Sequence, residues 1–191
     1  KEVAIRSPRD AIAYGLALVP EDRRGKAIII EETVAGNIVL PFIQNLASFG
    51  FIKQGLVKTK AQELVERFRI ITPSLAQKVM YLSGGNQQKV ALAKWFGMNA
   101  KVFILDEPTH GIDVGAKQEI YNFINKIVTG NSGVIFVSSD IHEVVGMADR
   151  IMVLRDGEIV ARFNRGEATQ GKILTAMLGK SLGGEANGWS D

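Results

Sequence analysis

Four short apolar runs, each closed by polar or turn residues, constrain the fold of this chain more than any other feature of its sequence. They occupy residues 16–19, 102–105, 134–137 and 151–154. The second and third runs have apolar residues at consecutive positions, which is typical of strands buried on both faces of a parallel sheet. Helical patterns lie between the runs. The sequence therefore predicts an α/β domain.

The fourth run has a different continuation from the other three. It meets Asp156-Gly157 and then a second apolar run at residues 159–161. Asp-Gly between two apolar runs is a strong signal for a tight turn between antiparallel strands. We predict a β-hairpin at this point.

The middle of the chain lacks the strand pattern. Between residues 20 and 82 no run is typical of a buried strand. In the segment 58–70 the apolar residues have helical spacing: Ala61, Leu64, Val65 and Phe68. We predict a helical subdomain at about residues 33–98, inserted into an α/β body of residues 1–180. The Gly-rich segment 181–191 is predicted to be a flexible tail.

Composition excludes several classes of protein. The chain is 46% hydrophobic and 23% charged, which is typical of a globular domain. Its net charge of +3 gives no footprint of a nucleic-acid-binding protein. No cysteine is present, so disulfides and thiolate metal sites are excluded. Because the sequence starts at Lys1 without Met or a signal peptide, we expect it to be a piece of a longer protein.

The segment 81–90, Tyr-Leu-Ser-Gly-Gly-Asn-Gln-Gln-Lys-Val, carries the strongest functional signal. Ser83, Gly84 and Gly85 precede a predicted helix, so free backbone N–H groups and the positive end of the helix dipole would face an anion. The glycines would let the backbone approach that anion closely. A simpler alternative is that Ser83 only caps the helix.

A second signal lies at residues 102–109, Val-Phe-Ile-Leu-Asp-Glu-Pro-Thr. A buried strand here would deliver two carboxylates to its C-terminal edge, where α/β proteins bind ligands. Asp106 would hold Mg²⁺, and Glu107 would polarise an attacking water molecule. The alternative is a solvated acidic turn after a strand.

Together these segments resemble the ATP-binding-cassette (ABC) ATPase family. Residues 82–87 are similar to its signature motif, and residues 102–107 are similar to Walker B. Gly111-Ile112-Asp113 stands where the family has its D-loop, which crosses the interface between two cassettes. The resemblance implies a P-loop NTPase core, with signature residues, including Gln87, at the nucleotide.

Two positions depart from the family pattern. Glu21 stands where the family has the glutamine of the Q-loop, although residues 21–24 could also be a solvated charged loop. Ser139 stands where the family has a switch histidine that contacts the γ-phosphate. His142 comes three residues too late for that role, and we interpret it as a surface residue. Despite these departures, the resemblance implies that Glu21 and Ser139 lie at the nucleotide site.

The sequences of residues 83–90, 106–117 and 138–140 resemble those of the second cassette of monosaccharide importers of the ribose, xylose and galactose type. That resemblance implies ATP and Mg²⁺ as cofactors. It implies three partners: a first cassette of the same subunit, membrane permease subunits and, indirectly, a periplasmic sugar-binding protein. The expected location is the cytoplasmic face of the bacterial inner membrane. No nucleic acid is expected as a partner.

One family element is absent from the sequence. No Gly-x-x-x-x-Gly-Lys-Ser/Thr motif, the phosphate-binding loop, occurs among the 191 residues. In the family this loop would precede residue 1, so we expect the sheet to lack the strand and helix that flank it. The isolated chain is therefore expected to be inactive as an ATPase.

Three rival functions can be compared with this resemblance. A non-hydrolysing regulatory or scaffold cassette could use its signature only to complete a partner's site. DNA-repair and chromosome-structural ATPases share both motifs, but they insert a long coiled coil for which residues 21–82 leave no room. Translation-associated ABC proteins would need a basic linker, and none is visible in the sequence.

Overall fold

The computed structural model describes residues 3–98 and 100–179, which divide between Ile135 and Phe136 into two units. The helices are α1 (Pro8–Ala13), α2 (Val34–Val39), α3 (Gln54–Arg67), α4 (Gly84–Phe96), α5 (Val114–Thr129), α6 (Ile141–Met147) and α7 (Gln170–Met177). The strands are β1 (Leu16–Val19), β2 (Ala47–Ser48), β3 (Phe51–Ile52), β4 (Val102–Asp106), β5 (Gly133–Val137), β6 (Arg150–Arg155) and β7 (Glu158–Asn164). Within the described residues, no helix is both long and apolar enough to cross a bilayer.

Three of the predicted apolar runs form one sheet with the strand order β1–β4–β5. Strands β1 and β4 are parallel and in register from Leu16 opposite Val102 to Val19 opposite Leu105. The α/β prediction is confirmed in this sheet. Since parallel strands end at the same edge, the residues that follow β1 and β4 lie side by side.

Burial differs between the two faces of this sheet. On β1 and β4 one face is fully buried, with Ala17, Val19, Phe103 and Leu105 in the core. On the opposite face Leu18 is 49% exposed. The expectation of burial on both faces, made for β4 and β5, is wrong for β5, on which Ile135 and Val137 are 50% and 46% exposed. The described residues cover that face only in part.

Helix α4 occupies the centre of the first unit. It contacts α2, α3, α5 and β1, and residues 90–93 along it are buried. Around its C-terminal end, the rings of Phe68, Phe96, Phe103 and Phe123 pack in edge-to-face, tilted and stacked pairs. Such aromatic pairs add to the free energy gained by burial.

The predicted helical segment corresponds to α3, on which Ala61, Leu64 and Val65 are buried. Between residues 20 and 82 the described strands are the two-residue β2 and β3, neither of which is buried. Phe49, between them, is 99% exposed. The subdomain boundaries at 33–98 stay a prediction, and the tail at 181–191 lies outside the described residues.

The second unit is built on the predicted hairpin, which is confirmed. Strands β6 and β7 are antiparallel, and the turn between them places Asp156 and Gly157 at φ 53° and 84°. Positive φ at both positions suits the right-handed twist of the strands. The core of this unit joins the hairpin to α7: Ile151, Val153, Ala161, Phe163, Ala168, Ile173 and Ala176.

A buried amide holds the irregular segment before α2. The Oδ1 of Asn37 accepts a hydrogen bond from the Ile29 N–H at 2.7 Å. Its Nδ2 donates to the carbonyl oxygens of Ile29 and Thr33 at 2.8 and 3.1 Å. The Asn37 side chain is fully buried, so it replaces hydrogen bonds that regular structure would otherwise supply.

We expect Asn37→Ala to lower the free energy of unfolding by about 2–3 kcal/mol, because backbone groups of the segment lose their partners. Urea denaturation measures the change. Asn125→Ala, at an exposed position of α5, is the control and should change stability by less than about 0.5 kcal/mol. Equal stabilities of the two variants would show that the Asn37 hydrogen bonds do not hold this segment.

Candidate functional site

The N-terminus of α4 presents unpaired backbone donors next to an exposed serine. Ser83 is the N-cap residue, with φ −62° and ψ 156°. Its Oγ accepts from the Asn86 backbone N–H at 3.4 Å and from Asn86 Nδ2 at 3.0 Å. Ser83 thus caps α4, while its contact with a nucleotide stays a prediction. Capping satisfies one N–H group of the first turn, and the positive end of the helix dipole remains available to an anion.

The two glycines of this helix start lie in different surroundings. Gly85 is buried, and a Cβ added there would lie 2.9 Å from the Cβ of Ala116 on α5. A Cβ added at Gly84 would lie 3.6 Å from the Gly111 carbonyl oxygen, an ordinary contact. Gly85 is therefore required by helix packing inside the chain. No local sequence pattern distinguishes the two glycines.

Asp106 is the last residue of β4 and Glu107 follows it directly, as predicted, and both are half-buried. Glu107 has φ 45°, a left-handed conformation that is unfavourable for a residue with a side chain. The turn that follows supports this conformation, since the His110 N–H donates to the Glu107 carbonyl oxygen at 3.1 Å. Strain of this kind costs about 1–3 kcal/mol and concentrates at functional sites.

The turn from Glu107 ends at α5, beside α4. Asp113 caps α5 by accepting a hydrogen bond from the Ala116 N–H at 2.8 Å. Its Oδ2 would lie 3.8 Å from a Cβ at Gly85. The structure thus brings the predicted D-loop residue Asp113 to the predicted signature residues at the start of α4.

A charged turn after β1 reaches the same place. Glu21 Oε1 lies 3.3 Å from Nδ1 of His110. The guanidinium of Arg23 donates to the His110 carbonyl oxygen at 2.9 Å. Burial, with a smaller effect from the neighbouring Arg24, lowers the pKa of Arg23. Sequence reasoning missed Arg23, because its partner lies 87 residues further along the chain.

Gln87 has an internal position that its predicted role does not explain. The side chain is 1% exposed, and its Nε2 donates to the carbonyl oxygens of Val79 and Leu82 at 3.2 Å each. Its Oε1 accepts from Nε of Arg24 at 3.4 Å. These bonds fix the segment that leads into Ser83, while a contact of Gln87 with nucleotide stays a prediction.

Two lysine side chains of α4 bind carbonyl oxygens of neighbouring segments. Lys89 is buried, pairs with Glu119 and donates to the Arg69 carbonyl oxygen at 3.0 Å. Lys94 donates to the Ala27 carbonyl oxygen at 2.9 Å, and burial lowers its pKa. The α4 helix is therefore fixed by polar contacts on several sides.

The predicted switch position lies in the second unit. Ser139 is exposed and precedes Asp140, which caps α6 by accepting from the His142 N–H at 3.0 Å. Ser138 Oγ donates to Glu143 at 3.0 Å. His142 is exposed, as expected of a surface residue. The role of Ser139 at a nucleotide stays a prediction.

Gly85→Ala should lower the free energy of unfolding by about 1–3 kcal/mol, because its Cβ would overpack against Ala116. Gly84→Ala is the matched control, with no close contact to relieve, and should be neutral or stabilising. Urea denaturation of both variants measures the difference.

The double variant Gly85→Ala, Ala116→Gly should recover stability relative to the sum of the two single changes, because removing the Ala116 Cβ opens the space. Additive losses in this double-mutant cycle would contradict close packing as the reason for Gly85.

Solved structures of ATP-binding cassettes share this fold. A nucleotide-free cassette from an ABC transporter aligns with 94% of the chain and 71% of its own length, at TM-score 0.72 and 19% identity. The dimeric post-hydrolysis state of a cassette bound to ADP and phosphate aligns with 78% of the chain and 62% of its own length. That alignment has TM-score 0.67 and 25% identity.

Two relatives are import proteins of bacteria. The ribose import ATP-binding protein of Rhodopirellula baltica is 47% identical over 178 residues, which are 93% of this chain and 35% of that protein. The xylose import ATP-binding protein of Geobacillus kaustophilus is 45% identical over 179 residues, which are 94% and 36%. The chain thus spans about a third of the length of these relatives.

A family model described as ABC transporter matches residues 8–110, more than half of the chain. That range includes β1, the start of α4 and the end of β4, where Glu21, Ser83, Asp106 and Glu107 lie. The fold is that of an ABC ATPase, an α/β P-loop NTPase. On this match and this fold, the chain belongs to the ABC transporter family.

Proposed function

We propose that this chain is part of an ATP-hydrolysing motor that drives monosaccharide import through a membrane permease. The observation that carries the proposal is the meeting of the α4 N-terminus with the turn 107–113 at one edge of the sheet. The identity to ribose and xylose import ATP-binding proteins supports the class of substrate. In such a motor the chain would contribute the signature, Walker B and D-loop.

Asp106 would hold Mg²⁺, and Glu107 would polarise the attacking water. Mg²⁺ in proteins is bound through one or two carboxylates together with phosphate and water oxygens. A single half-buried carboxylate at the end of β4 fits that donor set, although the described residues contain no cluster of three candidate metal ligands. The chemistry supplied by the bound metal would be charge neutralisation at phosphate oxygens.

ATP held by the phosphate-binding loop of the first cassette would lie against the N-terminus of α4. The backbone N–H groups after Ser83 and the dipole of α4 favour a phosphate group there. Gly84, which is half-buried, leaves the backbone accessible. The D-loop residue Asp113 lies beside this helix start and would be near the same phosphate. Glu21 and Ser139 are proposed, from the family resemblance alone, to face the nucleotide of this chain's own site.

The motif of the phosphate-binding loop is absent from these 191 residues, and we propose that another part of the protein supplies the loop. We propose that this chain corresponds to the second cassette of a two-cassette subunit and that its sheet lacks the strand and helix of that loop. The half-exposed apolar side chains of Leu18 and Ile135 support the proposal that elements packing on this sheet are missing from the chain. By itself the chain would be inactive.

The remaining partners follow from the same proposal. Permease subunits at the cytoplasmic face of the bacterial inner membrane would convert cassette closure into transport, and a periplasmic protein would deliver the sugar. A first cassette would hold the other nucleotide, and no nucleic acid takes part.

A non-hydrolysing cassette is the second candidate function. Ser139 stands at the position of a histidine that contacts the γ-phosphate, and this departure favours a weakened site in the second cassette. In that case Glu107 would have no effect on turnover, although the signature would still complete the partner's site.

Glu107→Gln in the complete gene product tests the two candidates. We expect the rate of ATP hydrolysis to fall by about 100-fold or more at this site while ATP binding persists, because Asp106 is unchanged. Glu31→Gln, at an exposed position, is the matched control and should leave the rate within about twofold.

The measurements are ATPase rate, ATP binding and uptake of a monosaccharide into vesicles that contain the permease. Unchanged turnover in Glu107→Gln would support the non-hydrolysing cassette and contradict catalysis by Glu107. A gene product that binds no ATP would contradict both candidates.

A further inference from the structure

Two side chains of the turn after β1, Glu21 and Arg23, reach His110 in the loop that begins at Glu107. The loop itself is a tight turn, in which the His110 N–H donates to the Glu107 carbonyl oxygen at 3.1 Å. The His110 carbonyl oxygen is held in turn by Nη1 of Arg23 at 2.9 Å. Both backbone polar groups of His110 are therefore hydrogen-bonded. Its N–H donates to Glu107, which has the strained conformation, and its carbonyl oxygen accepts from Arg23.

The turn that carries Arg23 is itself anchored. Residues 23–27 form one π-helical turn, whose N-cap Asp22 accepts from the Gly25 N–H at 2.9 Å. The carbonyl oxygen of Ala27 accepts from Lys94 of α4 at 2.9 Å. The Ala27 side chain is buried. The turn that carries Arg23 is thus held in place by hydrogen bonds, one of which comes from α4.

Arg23 also lies close to Gly84 at the start of α4 and to Gly111 in the loop. A Cβ added at Gly111 would lie 3.4 Å from Nη2 of Arg23, and one added at Gly84 would lie 3.7 Å from the same atom. The guanidinium therefore fills the space between the start of α4 and the loop. A planar group with several donors suits this position better than an ammonium group does.

We propose that Arg23 is a positioning residue, which holds the His110 turn and thereby keeps the backbone of Glu107 in its left-handed conformation. This inference rests on the proposed function, because it assigns Glu107 to the attack on ATP. Arg23 itself touches neither ATP nor water in this scheme. Its effect is on the direction of the Glu107 carboxylate, and small displacements of such a group reduce rates strongly.

Arg23→Met removes the donors and the charge but keeps a side chain of similar reach. In the complete gene product we expect kcat for ATP to fall about tenfold, with KM for ATP within about twofold, because binding groups are untouched. Arg23→Lys retains one donor and should lose about two- to threefold. Lys26→Met removes a cation from an exposed position of the same turn and is the control, with a rate near wild type.

Two readouts separate positioning from general stability. Without nucleotide, hydrogen exchange of the His110 amide should accelerate about five- to tenfold in Arg23→Met and not in Lys26→Met, because the turn loses its anchor. In a Glu107→Gln background, Arg23→Met should lower the remaining rate no further, since it acts through Glu107. Thermal unfolding of each variant confirms that the protein remains folded.

The outcomes are distinguishable. If Glu107→Gln lowers turnover but Arg23→Met behaves like Lys26→Met, the inference is overturned and the proposed function stands. An Arg23→Met loss that adds fully to that of Glu107→Gln, or an unchanged His110 exchange rate, overturns it too. If turnover does not depend on Glu107 at all, the proposed function fails, and the inference fails with it.

Discussion

The first unit depends on the burial of α4, a helix that carries polar side chains into the core. A buried polar group without a partner costs about 1–3 kcal/mol, so pairing stabilises a buried helix. Among the described residues of α4, Oε1 of Gln88 is buried without a hydrogen-bond partner. Gln87, Lys89 and Lys94 bind carbonyl oxygens of three different segments. The segments before α4, after α3 and after β1 are therefore fixed relative to one helix axis.

That fixed axis determines what the site can do. Ser83 and Gly84 stand at the N-terminus of α4, so the direction of the helix dipole is set by packing far from any ligand. The close approach of Gly85 to Ala116 sets the distance between α4 and α5. Asp113, the cap of α5, is carried along. Packing that looks purely structural thus positions the groups proposed to face nucleotide.

The strands and the hairpin could be predicted, because their signals are local. Apolar runs bounded by turn residues gave β1, β4, β5 and β6, and Asp156-Gly157 gave the turn before β7. Helix α3 followed from spacing alone. The half-exposed face of β1 was not predicted, because the covering of a face depends on which distant elements pack there.

Within the site, sequence signals located residues but not their contacts. The Ser-Gly-Gly pattern placed the start of α4, and the strand end placed Asp106 and Glu107. The positive φ of Glu107 and the bond from Arg23 to His110 arise from the turn and from contacts distant in sequence. No local pattern encodes either one. The two glycines of α4 looked equivalent for the same reason.

The proposed function depends on the N-terminus of α4 facing a phosphate group of bound ATP. Hydrogen exchange of the segment 83–87 tests this contact in the complete gene product with a non-hydrolysable ATP analogue. The saturating analogue with Mg²⁺ should slow exchange of these amides at least about tenfold, while segment 54–67 on α3 is unchanged. Bound analogue that leaves the exchange of 83–87 unaltered would contradict a contact between this helix start and the nucleotide.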